Sequence, residues 1–278
     1  MAGSTIRRRQ LGAHLRQLRN DAGDNRDQIA SVLGCSPTKV TYLESGRNVI
    51  GKTELIVLLQ HYGAEEKLEP LEELRQEANK RGWWSTARLP EWLADYVGLE
   101  TEATSVRSFE LTLIPGLLQT EEYARDLHTL RRRLTTNDIE RRITARIRRQ
   151  ARLVDPDPVQ LSAVVCEEAL HRCVHRPDLA TAQLRHLLDQ ARLPSVRLQV
   201  LPLGLGTHCG MAGAFTLLTF PDGLLPDVAW QEYAMGGHII DDQSSVTYLA
   251  RLYDELRSQA LDPDESLAVI AEFVDQTR

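Results

Sequence analysis

The sequence has no run of about 18 apolar residues, so it offers no candidate membrane-spanning helix. Its four cysteines, at positions 35, 166, 173 and 209, form no CxxC pair. A disulfide framework is therefore not expected, and the usage fits a reducing cytoplasm. The opening residues, MAGSTIRRRQLG, are basic but lack the apolar stretch of a secretory signal. Signatures of catalysis are missing as well. There is no GxGxxG or phosphate-loop motif, Gly204-Leu205-Gly206 is too short to stand for one, and no nucleophile elbow accompanies the serines and histidines. His171, Cys173 and His175, with His208-Cys209 further on, fit no zinc spacing template, and structural roles suit them better. Glu167-Glu168 are sequence neighbours without an oriented partner. No catalytic residue, metal or cofactor is expected.

Positive charge is also scarce: the formal net charge of the 278 residues is −6. The scarcity is uneven. Residues 1–64 hold nine basic and five acidic residues, which leaves about ten net negative charges on the rest of the chain. A basic head on an acidic body restricts where a phosphate backbone could bind.

What the head does have is a helix-turn-helix pattern in residues 26–45, RDQIASVLGCSPTKVTYLES. Asn25 and Gln28 make a capping-box pair, and Ile29 and Leu33 repeat at helical spacing. Ala30 is small where two helices would cross. Gly34 can take the positive φ that ends a helix, Ser36 can cap the next one, and Pro37 suits its first position. Val40 and Leu43 would be buried, which leaves Thr38, Lys39, Thr41 and Tyr42 on or near the open side. A rod of about eight residues, roughly 12 Å long, matches the ~12 Å width of the major groove. Ser45-Gly46-Arg47-Asn48 makes a loop that could give Arg47 and Asn48 to the backbone. Expected DNA contacts are therefore Arg26, Ser36, Thr38, Lys39, Thr41, Tyr42, Arg47 and Asn48. Arg7–Arg9 read equally as a phosphate-touching arm or a disordered tail.

With these residues in register, residues 11–62 resemble the lambda-repressor-like helix-turn-helix domain of the xenobiotic-response-element class. The resemblance implies a five-helix DNA-binding unit whose second motif helix meets base edges. Arg26 stands where that family often has Gln, and Pro37 where it usually has a hydrogen-bonding residue. The target sequence does not carry over.

The remaining chain divides into a tryptophan-rich connector, residues 81–105, and an α+β domain with a largely antiparallel sheet, residues 106–278, against an all-α head at 1–80. GWWSTARLPEWLADYVGLE holds three of the four tryptophans, and would fasten head to body or line a dimer seam. Strands are expected at VRSFELTLIPG, VQLSAVVC, VRLQVLPLG, FTLLTFPD and VAWQEY, with helices over 121–134, 138–153, 179–193, 241–256 and 264–274. In DIERRITARIRRQARL, Ile139, Ile143 and Ile147 share one side among many arginines, the pattern of an amphipathic helix paired with an acidic body. The phrases SFELTLIPGLLQTEEYARDL, GTHCGMAGAFTLLTFPD and VAWQEYAMGGHIIDD are similar to the C-terminal domain of actinobacterial Scr1-type, antitoxin-like regulators. That resemblance implies a transcriptional regulator, often encoded beside a small protein partner. The expected protein is a cytoplasmic, nucleoid-associated homodimer on double-stranded DNA. Its body would bind a small protein or a metabolite through Gly204–Gly213 and Met235–His238. The alternative is an antitoxin-like interaction module with little DNA binding of its own.

Overall fold

The computed structural model describes residues 4–80, 82–130, 134–221 and 225–277. They form two compact units, one running to Thr86 and the other beginning at Ala87. The first is all helical: α1 (Ser4–Asp21), α2 (Arg26–Leu33), α3 (Pro37–Glu44), α4 (Lys52–Tyr62) and α5 (Leu68–Ala78). Their apolar stripes close on one core that includes Leu11, Leu15, Ile29, Val40, Leu43 and Leu59. Arg7–Arg9 are neither arm nor tail. They lie inside α1, where buried Ile6 draws the first turn into the fold and Arg8 Nε donates to the Ala78 carbonyl at 3.0 Å. Trp83 and Trp84 belong to this unit and meet edge to face, with ring centroids 6.0 Å apart.

The second unit is α+β. It contains α6 (Glu91–Glu102), β1 (Ser105–Glu110), α7 (Glu121–Thr129), α8 (Thr136–Gln150), β2 (Gln160–Cys166), α9 (Glu167–Val174) and α10 (Pro177–Gln190). It continues with β3 (Val196–Leu201), β4 (Phe215–Thr219), β5 (Val228–Tyr233), β6 (Gly236–Ile240), α11 (Gln243–Gln259) and α12 (Pro263–Asp275). The described strands make one six-stranded sheet in the order β3-β2-β1-β4-β5-β6. Three pairings, β1–β4, β4–β5 and β5–β6, are antiparallel, and β1–β2 and β2–β3 are parallel. The parallel half needs helical crossovers, supplied by α7–α8 and by α9–α10.

Side-chain alternation splits the sheet into two working faces. Phe109, Val164, Phe215, Leu217 and Ala229 point to one side, where α11 covers them with Val246, Leu249, Tyr253 and Leu256. Tyr253 is fully buried and its hydroxyl donates to the Ser162 carbonyl at 2.7 Å. The opposite face presents Ser108, Glu110, Thr216, Trp230 and Glu232 to a cavity also lined by α6 and α8.

The structure revises one sequence expectation and refines two others. Cys166 leads straight into helix α9 rather than a loop, so His171 and Cys173 sit on a helix. The glycine-rich stretch after Met235 is strand β6, paired from Gly236 to Tyr233. On α8 the buried residues include Arg142, Ile143 and Arg149, while Ile147 is 41 % exposed. The space beneath the helix is a cavity of mixed lining, where Arg149 meets Glu100 and Arg142 meets the Trp92 ring.

Candidate nucleic-acid interface

The turn between α2 and α3 forms as its residues dictate. Asn25 and Gln28 satisfy each other's backbone N–H groups at 3.0 and 2.7 Å. Gly34 takes φ 61°, ψ 39°, and the following Cys35 N–H returns to the Ala30 carbonyl at 2.9 Å. Ser36 Oγ then accepts from the Lys39 N–H at 3.2 Å, and Pro37 occupies the first helical position without losing a bond.

Behind α3 stands a carboxylate that sequence reading passed over. Glu44 is almost fully buried, and Arg19 grips it with Nε and Nη2 at 2.5 and 3.1 Å. Arg26 Nε adds a third bond at 3.0 Å. Burial opposes ionisation of Glu44, but the Arg19 and Arg26 hydrogen bonds outweigh it and hold the carboxyl below its ordinary range. One side chain thus ties α1, α2 and α3 together. Two glycines let the backbones approach this closely. A Cβ on Gly12 would lie 2.6 Å from the Glu44 carbonyl oxygen, and one on Gly46 would lie 2.7 Å from the Arg8 backbone. The signal for Glu44 was its place beside Leu43 on the inward side of α3, where an acid needs a partner.

The eight expected contact residues all lie on α2, α3, the turn between them or the loop after α3, but their side chains differ in commitment. Arg26 gives Nε to Glu44 while its side chain stays 45 % exposed, so the rest of the fork can reach a phosphate. Ser36 Oγ is used as the cap acceptor and keeps its own proton to donate. Thr41 Oγ1 donates back to the Pro37 carbonyl at 3.1 Å and keeps its lone pairs. Thr38 is exposed. The Arg47 guanidinium sits 4.9 Å from the centre of the Tyr42 ring, and Asn48 is exposed with its N–H on the Tyr42 carbonyl at 3.0 Å.

Lys39 is the surprise of the face. Its ammonium pairs with Glu54 of α4, which also accepts from the Gly51 N–H at 3.0 Å. The Glu54 hydrogen bond raises the Lys39 pKa. A part-exposed ion pair is worth ~0–1 kcal/mol, and a good base-edge contact ~1–3 kcal/mol, so Lys39 can leave Glu54 for a base at a net gain.

Residues 10–73 match a family model described as a helix-turn-helix domain. The head is therefore a helix-turn-helix domain, of the kind that binds DNA. Residues 93–272 match a second model, described as a domain of unknown function, DUF5753, and this match takes in more than half of the chain. The chain belongs to the DUF5753 family. No curated protein and no solved structure matches the chain.

The DUF5753 region has its own concentration of charge. Arg149 grips Glu100 with Nε and Nη2 at 2.5 and 2.7 Å, and the Tyr96 hydroxyl donates to the same carboxylate at 2.6 Å. Aromatic rings continue the cluster: Tyr96 stacks on Trp230 at 4.7 Å and Trp92 on Trp230 at 5.9 Å. Arg142 lies over Trp92 at 5.5 Å and Arg149 over Tyr96 at 5.2 Å. Trp92 and Tyr96, expected in a connector, lie in the second compact unit, and Tyr96 falls within the DUF5753 match. His171 meets Glu167 at 3.6 Å and the Phe273 ring, and Cys173 is buried. Among the described residues no three His, Cys, Asp or Glu side chains are arranged to hold a metal, and no helix is long and apolar enough to cross a membrane.

Proposed function

We propose that this protein is a sequence-specific DNA-binding transcriptional regulator that acts as a homodimer in the cytoplasm. In this reading the head belongs to the xenobiotic-response-element class and the body to the Scr1-type regulators. Its body does no chemistry and instead senses a small protein partner or a metabolite. The observation that carries the reading is α3. Its inward side is fixed by Val40, Leu43 and Glu44, while Thr38, Lys39, Thr41 and Tyr42 remain at the surface beside Arg26 and Arg47. Such a helix meets the groove with its N-terminal half and leaves the flanking arginines for phosphates.

Genomic footprinting of the full chain tests this. A pseudo-palindromic site with half-sites about one helical turn apart, or a multiple of it, is expected. Protection of a single asymmetric half-site would remove the dimer. No protection anywhere would favour an antitoxin-like interaction module instead. Lys39→Ala should cost ~1–2 kcal/mol on the preferred site and much less on random DNA, since part of the base contact replaces the Glu54 pair. Arg47→Ala should weaken both DNAs alike and lower the salt slope by about one.

A further inference from the structure

The sheet face opposite α11 holds a cavity of about 990 Å³, at the upper end of the ~300–1,000 Å³ typical of small-molecule pockets. Ser108 and Glu110 of β1, Thr216 of β4 and Trp230 of β5 form its floor, and α8 supplies one wall. Arg142, Arg146 and Arg149 recur on that wall at spacings of four and three, one stripe of the helix.

Two of these arginines are committed, Arg149 to the Glu100 carboxylate and Arg142 to the Trp92 ring. Arg146 is different. Its Nη1 donates to the neutral Gln119 carboxamide, and its buried Nε makes no hydrogen bond. Gly116 lies close enough that a Cβ would come within 3.1 Å of Nη1, so the guanidinium packs closely on this glycine. Burial and then the neighbouring Arg149 charge lower the Arg146 pKa to about 10, which keeps it cationic at neutral pH. The nearby Glu110 is pushed up to about 8 by burial and then by Glu232, so near neutrality it is mostly protonated and cancels little of that charge. Around the opening, Leu130, Tyr233 and Met235 are 66, 55 and 72 % exposed and make an apolar rim.

We propose that this cavity binds a small carboxylic acid with an apolar body, its carboxylate forked on Arg146 and its body lying between Trp92 and the Leu130–Met235 rim. A guanidinium with unused donors matches a carboxylate in both geometry and charge. A carboxylate needs only one guanidinium, whereas a doubly charged phosphate would bring more negative charge beside Glu232, whose charge already acts on Arg146. The site deepens the sensing role proposed above and rests on that role for its regulatory consequence, while the binding rests on the cavity.

Titration of the full chain with naphthaleneacetate and with its neutral amide, followed by calorimetry and tryptophan fluorescence, tests the assignment. The acid should bind saturably, roughly ten- to a hundred-fold tighter than the amide. Arg146→Gln should abolish that preference, Arg146→Lys should keep part of it, and Trp92→Leu should weaken both probes. Equal binding of acid and amide, no saturable binding of the acid, or a preference that survives Arg146→Gln would overturn the proposal. If circular dichroism shows that Arg146→Gln does not fold, the comparison on the native chain together with Arg146→Lys decides. A DNA shift assay on the same preparations separates the two readings. Absent acid binding with intact DNA binding strikes the cavity alone, and the reverse strikes the regulator alone.

Discussion

Replacing Glu44 by Gln should loosen the head more than any change on its exposed face. The Glu44 and Arg19 side chains are 3 and 12 % exposed, so removing the charge strands a nearly buried guanidinium. Breaking a buried pair in this way costs ~3–5 kcal/mol. Gln keeps one acceptor oxygen and Arg19 keeps its bond to the Asp24 carbonyl at 3.0 Å, which places the loss near the lower end, about 3 kcal/mol. Arg26 adds little to that figure, because its side chain is 45 % exposed and such contacts are worth at most about 1 kcal/mol. Hydrogen exchange of the full chain reads the two units separately. Peptides from α1–α3 should lose protection by roughly a hundred-fold in Glu44→Gln, and those from the sheet should not change. Arg26→Ala should cost under about 1 kcal/mol in the same peptides. The pH dependence follows from the same carboxyl. Its folded pKa lies below the ordinary 4.5, so its stabilisation is complete above that value and drains as pH falls through the folded pKa. Glu44→Gln should remove that part of the acid sensitivity. A loss of protection below about five-fold, or equal effects from Glu44→Gln and Arg26→Ala, would refute the view that Glu44 is the tie between the three helices.

Gly46→Ala should destabilise the head by about 2 kcal/mol or more in urea unfolding, since φ is 72° and the new Cβ would press on the Arg8 backbone at 2.7 Å. Gly34→Ala, at φ 61° with open space around it, should cost only about 1–2 kcal/mol, and a reversed order would contradict the packing of α1 on the loop. Glu110, facing Glu232 on β5 and Arg146 on α8, holds its proton up to about pH 8 in the folded body. The folded state therefore binds more protons than the unfolded one between about pH 4.5 and 8, and this group's contribution to stability falls across that window. Thermal melts of Glu110→Gln should be flatter over that range than those of the native chain, and parallel curves would place the titration elsewhere.

The head was legible because each of its constraints is local. A capping pair, a glycine at positive φ, a proline at the first helical position and two apolar residues on α3 fall within some twenty consecutive residues, and short-range sterics read them directly. What escaped reading there was long-range: Gly12 and Gly46 matter because of the backbone each approaches, and Lys39 is held by Glu54, fifteen residues away. In the body five of the six described strands and most helices follow from alternation and helical period. Two things did not follow. The parallel pairing of β1, β2 and β3 depends on crossovers that periodicity does not encode. The other is the sense of α8. Isoleucines at 139, 143 and 147 mark an apolar side, and burial of apolar surface would ordinarily turn that side inward. Ile143 is buried as that predicts, but Arg142 and Arg149 are buried beside it and Arg146 lines the cavity, while Ile147 faces out. A helix buries arginines beside its apolar residues only where the guanidinium groups meet partners that repay their desolvation. Those partners, Glu100, Gln119, Trp92 and Tyr96, come from α6 and from the segment before α7, tens of residues away in sequence. The arginine stripe and the aromatic stack therefore explain each other. Arg149 is balanced by Glu100 and Arg142 lies over the Trp92 ring, whereas Arg146 donates to a neutral carboxamide and lines the cavity.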